Sequence, residues 1–413
     1  MTLNLPWEQT EIQIALPDNC GTVVLEPNEV PVCSDANGAV YEALFSGGWD
    51  EFIKAPGKLL VIVNDGTRPT PTRTVLEILA DELDAAGAEF IVATGVHRAP
   101  TETELEYIFG STLERFRSCI SAHNARTDET FVIGTTSRGT EVKLNSKVRQ
   151  AERVLIIGSV EPHYFAGYTG GRKGLLPGVA AYSTIEQNHK LALSPRAQTL
   201  ALHGNPVHED MLEACRLIDK NVLTIMTVLD RNQNLYGVTA GGLEDAFDAA
   251  VQKADEVFVV PLKQQADAVI ACAKYPMDID LYQSQKAIEN AKLALKSGGT
   301  LILVSACRDG IGEDTFRDLL ASCPSPEAVY SKIEAGYRLG YHKAAKIAEI
   351  CSKANVAAFT GLDSDVLKSV FINPVENLQQ TVDELISVNQ GNTKFLLAVM
   401  PDASVTVPHL QNS

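Results

Sequence analysis

Residues 58–97 read KLLVIVNDGTRPTPTRTVLEILADELDAAGAEFIVATGVH. Residues 59–63 are an unbroken apolar run of strand length, as expected where both faces of a sheet are covered. Val75, Leu76, Leu79, Leu83 and Ala86 then recur at helical spacing, and Gly87 closes the helix. Residues 90–93 form a second apolar run. Strand, helix and strand in this compass make a βαβ unit with parallel strands and a right-handed crossover. The chain is therefore expected to be α/β with mostly parallel sheets.

Polar residues follow each strand. Asp65, Thr67 and Arg68 follow the first, and His97 the second. Thr101 and Glu104 form a capping box for the next helix. A further buried strand over residues 154–157 runs into Glu161 and His163. Open parallel sheets bind ligands beyond the carboxyl ends of their strands, so these three ends predict one shared cleft. Two histidines there suit acid–base work near neutral pH, and an arginine suits a carboxylate. Each residue also has a plainer reading: Arg68 pairing Asp65, His97 and His163 as capped or solvated rings, His189 as a surface helix residue. His203, His208 and His342 have no strand-end setting and keep the plain reading.

Residues 161–189, EPHYFAGYTGGRKGLLPGVAAYSTIEQNH, concentrate the unusual chemistry. Gly170, Gly171 and Gly174 bracket Arg172 and Lys173, which reads either as a solvated surface loop or as an anion-binding loop that something approaches closely. Lys173 suits a phosphate ligand, a Schiff-base amine or a covalent cofactor anchor. No dense metal-ligand spacing occurs, so a metal would need distant ligands or an organic group.

Before residue 58 the pattern is weak: strands over 12–16 and 22–25 with turn residues between, and a short helix over 39–44. Residues 131–134 suggest another strand. Beyond His189, residues 192–202, 207–218 and 243–254 look helical and 222–229 strand-like. The rhythm restarts near residue 261. Strands are expected over 268–271, 301–304, 356–359 and 395–399. Helices are expected over 282–295, ended by residues 297–299, and over 316–321, 335–354 and 375–388. This predicts two domains, 1–262 and 263–413. In the second, Gln283 and Lys286 are three apart, on one helix face that reads either as looking across an interdomain cleft or as a plain exposed first turn.

The chain has 413 residues, 45% hydrophobic and 21% charged, with a net charge of −17. Such acidity argues against nucleic acid or an anionic membrane as partner. Eight scattered cysteines without a C-x-x-C read as reduced thiols in a cytoplasmic protein. No signal peptide or membrane span is apparent.

Together DGTRP, TGVHRAP, EPHYFAGYTGGRKGLLPGVA, Asn188-His189, YPMDIDLYQSQK and GYHKA resemble the nickel-pincer lactate racemase family, in order, over roughly residues 60 to 400. The resemblance implies two α/β domains with the active site between them and a nickel pincer nucleotide as cofactor. It implies Lys173 as the covalent anchor, His189 as the nickel ligand, and His97 and His163 as the acid–base pair. Arg68, Gln283 and Lys286 would hold substrate; Asp65, Thr67, Gly170 and Gly171 would sit on the cofactor side. The implied reaction inverts C2 of a 2-hydroxy acid, by hydride transfer to and from the cofactor through a 2-keto acid. Cofactor-synthesis proteins would be partners. The rival reading is a nucleotide-, phosphate- or nickel-cofactor-binding carrier without turnover.

Overall fold

The computed structural model describes residues 1–17, 21–389 and 395–411. It divides into two compact units: Glu29–Val257, and Met1–Asn28 together with Phe258–Ser413. Both are α/β.

In the Glu29–Val257 unit a six-stranded sheet runs in the order Leu235–Gly241, Asn221–Leu229, Arg153–Ser159, Leu59–Asn64, Glu89–Ala93, Ile120–Ala122. All neighbours are parallel except the first pair. Successive side chains alternate between the faces of a strand. Val61, Val63, Phe90, Val92, Leu155 and Ile157 thus share one face, packed on Leu76, Leu79 and Leu83 of the helix Thr72–Ala85. This is the spacing that marked the helix in the sequence. From Leu59–Asn64 the chain crosses first to Glu89–Ala93 and later to Arg153–Ser159 on the other side. The sheet therefore has a topological switch point, where α/β folds place ligands. Asp65 and His163 follow the two strands that flank it.

The other unit holds a six-stranded, all-parallel sheet in the order Asn373–Pro374, Asn355–Phe359, Leu295–Val304, Ala266–Cys272, Leu396–Met400, Gly21–Val24. Ala268, Ile270, Ile302, Val304, Leu397 and Val399 pack with Leu5, Ile14 and Leu16. Leu5 and Ile14 come from the antiparallel pair Thr2–Trp7 and Thr10–Ala15.

Several expectations need correction. The 1–262 domain does not match the first compact unit, because residues 1–28 belong with the later chain: Gly21–Val24 pairs with Leu396–Val399. Residues 192–202 are not a helix but hold only the 3-10 turn Leu191–Leu193; Pro195 follows and keeps Ser194 extended. Residues 335–354 are not one helix. Pro326–Ala335 ends at Gly336, and Tyr341–Lys353 starts after Gly340, at φ +99°. Residues 297–299 do not end a helix, which stops at Ala291; they lie in Leu295–Val304 where its pairing shifts register. Residues 131–134 lie in Thr130–Thr135, which pairs only with Glu141–Asn145, off the main sheet. Of the turn expected between the first strands, residues 18–20 lie outside the described residues. Cys20 is among them, and the seven described cysteines are free thiols.

Candidate active site

The loop after Leu59–Asn64 is organised by Asp65, only 8% exposed. Its Oδ2 lies 2.7 Å from Nδ1 of His97. Its Oδ1 accepts from the Thr67 hydroxyl at 2.6 Å and the Thr67 amide at 3.3 Å. Burial pushes the Asp65 carboxyl up, but the His97 and Thr67 bonds and the His97 and Arg68 charges outweigh it and hold it below the usual carboxylate range. An ionised Asp65 has no proton to give, so Nδ1 of His97 carries one, and in the neutral ring Nε2 presents a lone pair. The His97 side chain is 42% exposed, so that lone pair is on an accessible ring.

Arg68 does not pair with Asp65 by a hydrogen bond, and its guanidinium bonds to no described residue. The neighbouring Arg98 is committed elsewhere, forked onto Glu104 at 2.7 and 2.9 Å. Glu104 in turn completes the expected capping box with Thr101. Arg68 is thus the uncommitted cation of this loop.

The second half of the site is a tight hairpin, Pro162–His163 paired with Gly167–Tyr168. At its tip, Phe165 is a hub. The His163 ring meets it edge-on at 4.6 Å, and the His189 ring approaches at 5.2 Å. Nζ of Lys173 lies 5.6 Å from the same ring centroid. His163 is 9% exposed, and its Nδ1 accepts the Ala166 amide at 3.4 Å. In the neutral ring the proton therefore sits on Nε2.

His189 ends the helix Tyr182–Lys190. Its ring is partly open to solvent by surface area, yet densely surrounded. Burial first and the Lys173 charge second push it down to about 3, against a hydrogen bond to the Ile185 backbone. It is thus a neutral imidazole across the physiological range. The adjacent Asn188 is buried and donates to Asp210 at 2.8 Å and to the Val207 carbonyl at 3.3 Å, fixing the end of this helix. Asp210 also accepts from Thr136 and Thr140.

Two links join the halves. Thr70 and Ser159 share a 2.7 Å bond across the switch point. The Gly95 amide, two residues before His97, donates to Gly178 of the lysine loop at 3.0 Å.

A nickel pincer nucleotide can be tested against these residues. A neutral, closely surrounded imidazole suits a metal ligand. A half-buried lysine beside it suits a tether. Among the described residues no three His, Cys, Asp or Glu side chains gather, so His189 would share a metal with donors from an organic group. These features fit. The glycine cradle does not. A Cβ on Gly170 would sit 2.7 Å from Val160 Cγ2, and one on Gly171 would sit 3.0 Å from Phe247. The Gly171 amide already donates to Met226 Sδ. On their Cβ side both glycines are packed against the protein's own atoms, which is reason enough for glycine at each position.

Gln283 and Lys286 lie in the other compact unit, half-buried in the first turns of Leu281–Ala291. Asp280 caps that helix by accepting the Gln283 amide at 2.6 Å. Lys286 Nζ lies 3.4 Å from Met277 Sδ. The sequence reading gave Phe165 no role and did not separate Arg172 from Lys173 in the glycine loop.

Residues 7–200 match the lactate racemase N-terminal domain and residues 262–407 the lactate racemase C-terminal domain. The lactate racemase of Thermoanaerobacterium thermosaccharolyticum is 30% identical over 363 residues, 84% of each chain. That of Lactiplantibacillus plantarum is 30% identical over 340 residues, 79% of this chain and 80% of the other. The lactate racemase apoprotein structure from T. thermosaccharolyticum superposes with a TM-score of 0.90 at 26% identity, covering 99% of this chain and 100% of that one. A Thermotoga maritima protein, at 16% identity and TM-score 0.71 over 91% and 98% of the two chains, shares the fold. Domain matches, relatives and fold agree with one another, and the chain belongs to the lactate racemase family of isomerases.

Proposed function

We propose that the protein inverts C2 of a 2-hydroxy acid, lactate or a related 2-hydroxy carboxylate, with a nickel pincer nucleotide tethered at Lys173 and ligated by His189. The observation that carries this is the gathering of His163, Lys173 and His189 around Phe165, linked through Gly95 and Gly178 to the turn that holds His97. When bound, such a cofactor supplies a reversible acceptor for the C2 hydride.

The chain's own residues do the rest. Arg68, with its fork uncommitted, holds the substrate carboxylate, and Gln283 and Lys286 are assigned to substrate on the family motif. His97, oriented by Asp65, takes the hydroxyl proton at Nε2 as the C2–H bond breaks. His163 meets a substrate oxygen with its Nε2–H. To release a full proton it must also gain one at Nδ1, and the bond it would give up there is long and weak. Each histidine is base for one enantiomer and acid for the other. Asp65 is better described as the partner of His97 than as a cofactor ligand, with Thr67 holding Asp65.

The packed glycines weigh against a simple anion loop and so against the carrier reading. No helix among the described residues is long and apolar enough to cross a membrane, and the free thiols favour the cytoplasm. Intact-mass measurement after co-expression with cofactor-synthesis proteins tests the proposal. A covalent adduct lost in Lys173→Ala is expected, together with racemisation of a 2-hydroxy acid. Reversible binding with no adduct and no turnover would overturn it.

A further inference from the structure

The two cations of Gly170-Gly171-Arg172-Lys173 point to different surroundings. Lys173 is half-buried near Phe165, while Arg172 is 0% exposed. The Arg172 guanidinium donates from Nη2 to the carbonyls of Ala166 at 2.7 Å and Tyr168 at 3.0 Å, and from Nη1 to that of Gly170 at 3.4 Å. Its other surface lies 4.4 Å over the Phe247 ring. No carboxylate pairs with it among the described residues, so its charge is buried without an ion pair, an expensive arrangement.

All three acceptors lie between His163 and Lys173. Ala166 adjoins the hub Phe165, and Gly170 opens the 3-10 turn that carries Lys173, whose amide donates back to the Gly170 carbonyl. One rigid planar group thus joins the tip bearing the hub to the turn bearing the lysine. A lysine in its place has a point charge and cannot span three carbonyls while lying flat on a ring.

We propose that Arg172 is a positioning residue: its fork sets the Lys173 amine against Phe165 and His189, and so governs how fast Lys173 is joined to its cofactor. This rests on the reading of Lys173 as the cofactor anchor. Its effect reaches the chemistry only through Lys173.

Arg172→Lys in the full chain tests it with two readouts. The first is amide hydrogen exchange in the apo protein. Exchange over residues 166–178 should rise at least tenfold, with the Leu59–Asn64 strand unchanged. The second is the rate of adduct formation at Lys173, followed by intact mass with cofactor from its synthesis proteins. It should fall at least fivefold. Unchanged loop exchange overturns the proposal. Loosened exchange with wild-type adduct formation also overturns it, leaving Arg172 only a packing role. Should Arg172→Lys fail to fold, Phe247→Leu keeps the guanidinium and removes the ring beneath it; smaller changes of the same sign are expected, and wild-type adduct formation in a loosened loop overturns the proposal. If wild-type protein itself forms no adduct, the anchor reading falls, and the exchange measurement alone judges whether Arg172 holds the loop.

Discussion

The His97 turn and the His163 hairpin hold the same side chain in opposite ways. His97 is exposed and oriented by one charged bond to a buried carboxylate. His163 is nearly buried and oriented by aromatic packing and one long amide bond. The first arrangement bares Nε2; the second protonates it. A hydrogen bond fixes which nitrogen carries the proton, whereas packing fixes only where the ring lies. The difference teaches that a pair of histidines can be unlike at rest even when each must serve both roles in turnover.

Deleting either ring is the severest way to break the comparison. His97→Ala and His163→Ala are each expected to lower racemisation in both directions by about 10²–10⁴-fold. The measurement is initial rates from each enantiomer. A variant that loses one direction only would show that the two rings do not exchange roles.

Asp65→Asn should separate the two regions. It keeps the shape but lets Nδ1 of His97 accept instead of donate, so a loss on the order of 10²–10³-fold is expected. Histidine NMR should show the His97 tautomer changed and His163 untouched. A wild-type rate would mean the Asp65 bond orients nothing.

Arg68→Lys is milder. It retains charge and loses the two-point grip, costing about 1–2 kcal/mol, or roughly 5–30-fold in kcat/KM. Equal kinetics across candidate 2-hydroxy acids would remove Arg68 from substrate binding.

His208, outside the pair, supplies a control with the smallest expected effect on turnover. Burial first, then the Arg172 charge, push its ring down to about 3, with Glu209 and Glu244 opposing. The unfolded chain takes up this proton near its ordinary pKa, about 6.5, and the folded chain only near 3. The contribution is therefore fully present above about pH 6.5 and is lost as pH falls toward 3. Apo-protein denaturation should become less steeply acid-sensitive in His208→Gln, by on the order of 1 kcal/mol per pH unit between the two values. An unchanged slope would refute the assignment.

Much of this was legible in the chain. Apolar runs and helical spacing located the strands at 59–64 and 89–93 and the helix between them, because that periodicity is a local record of what is buried. Strand-end reasoning found Asp65, His97 and His163 for the same reason. The direction of Arg172 was not legible, since loop sequence does not say which cation turns inward. Nor was the role of Asp65, which depends on a residue 32 positions away. The glycines signal close approach, but not whether the visitor is a ligand or the protein itself. Residues 1–28 were misplaced because strand pairing across the whole chain leaves no mark in either strand alone.

That last pairing has a consequence for biosynthesis. Leu396 pairs with Gly21, roughly 375 residues earlier. At bacterial or eukaryotic elongation rates the Gly21–Val24 strand waits about 20–75 s for its neighbour to emerge from the ribosome. All of Glu29–Val257 is made in that interval and can fold as a unit first. The apolar Leu5, Ile14 and Leu16 are meanwhile without the sheet they cover. The lysine loop can thus be complete before Gly21–Val24 meets its partner strand.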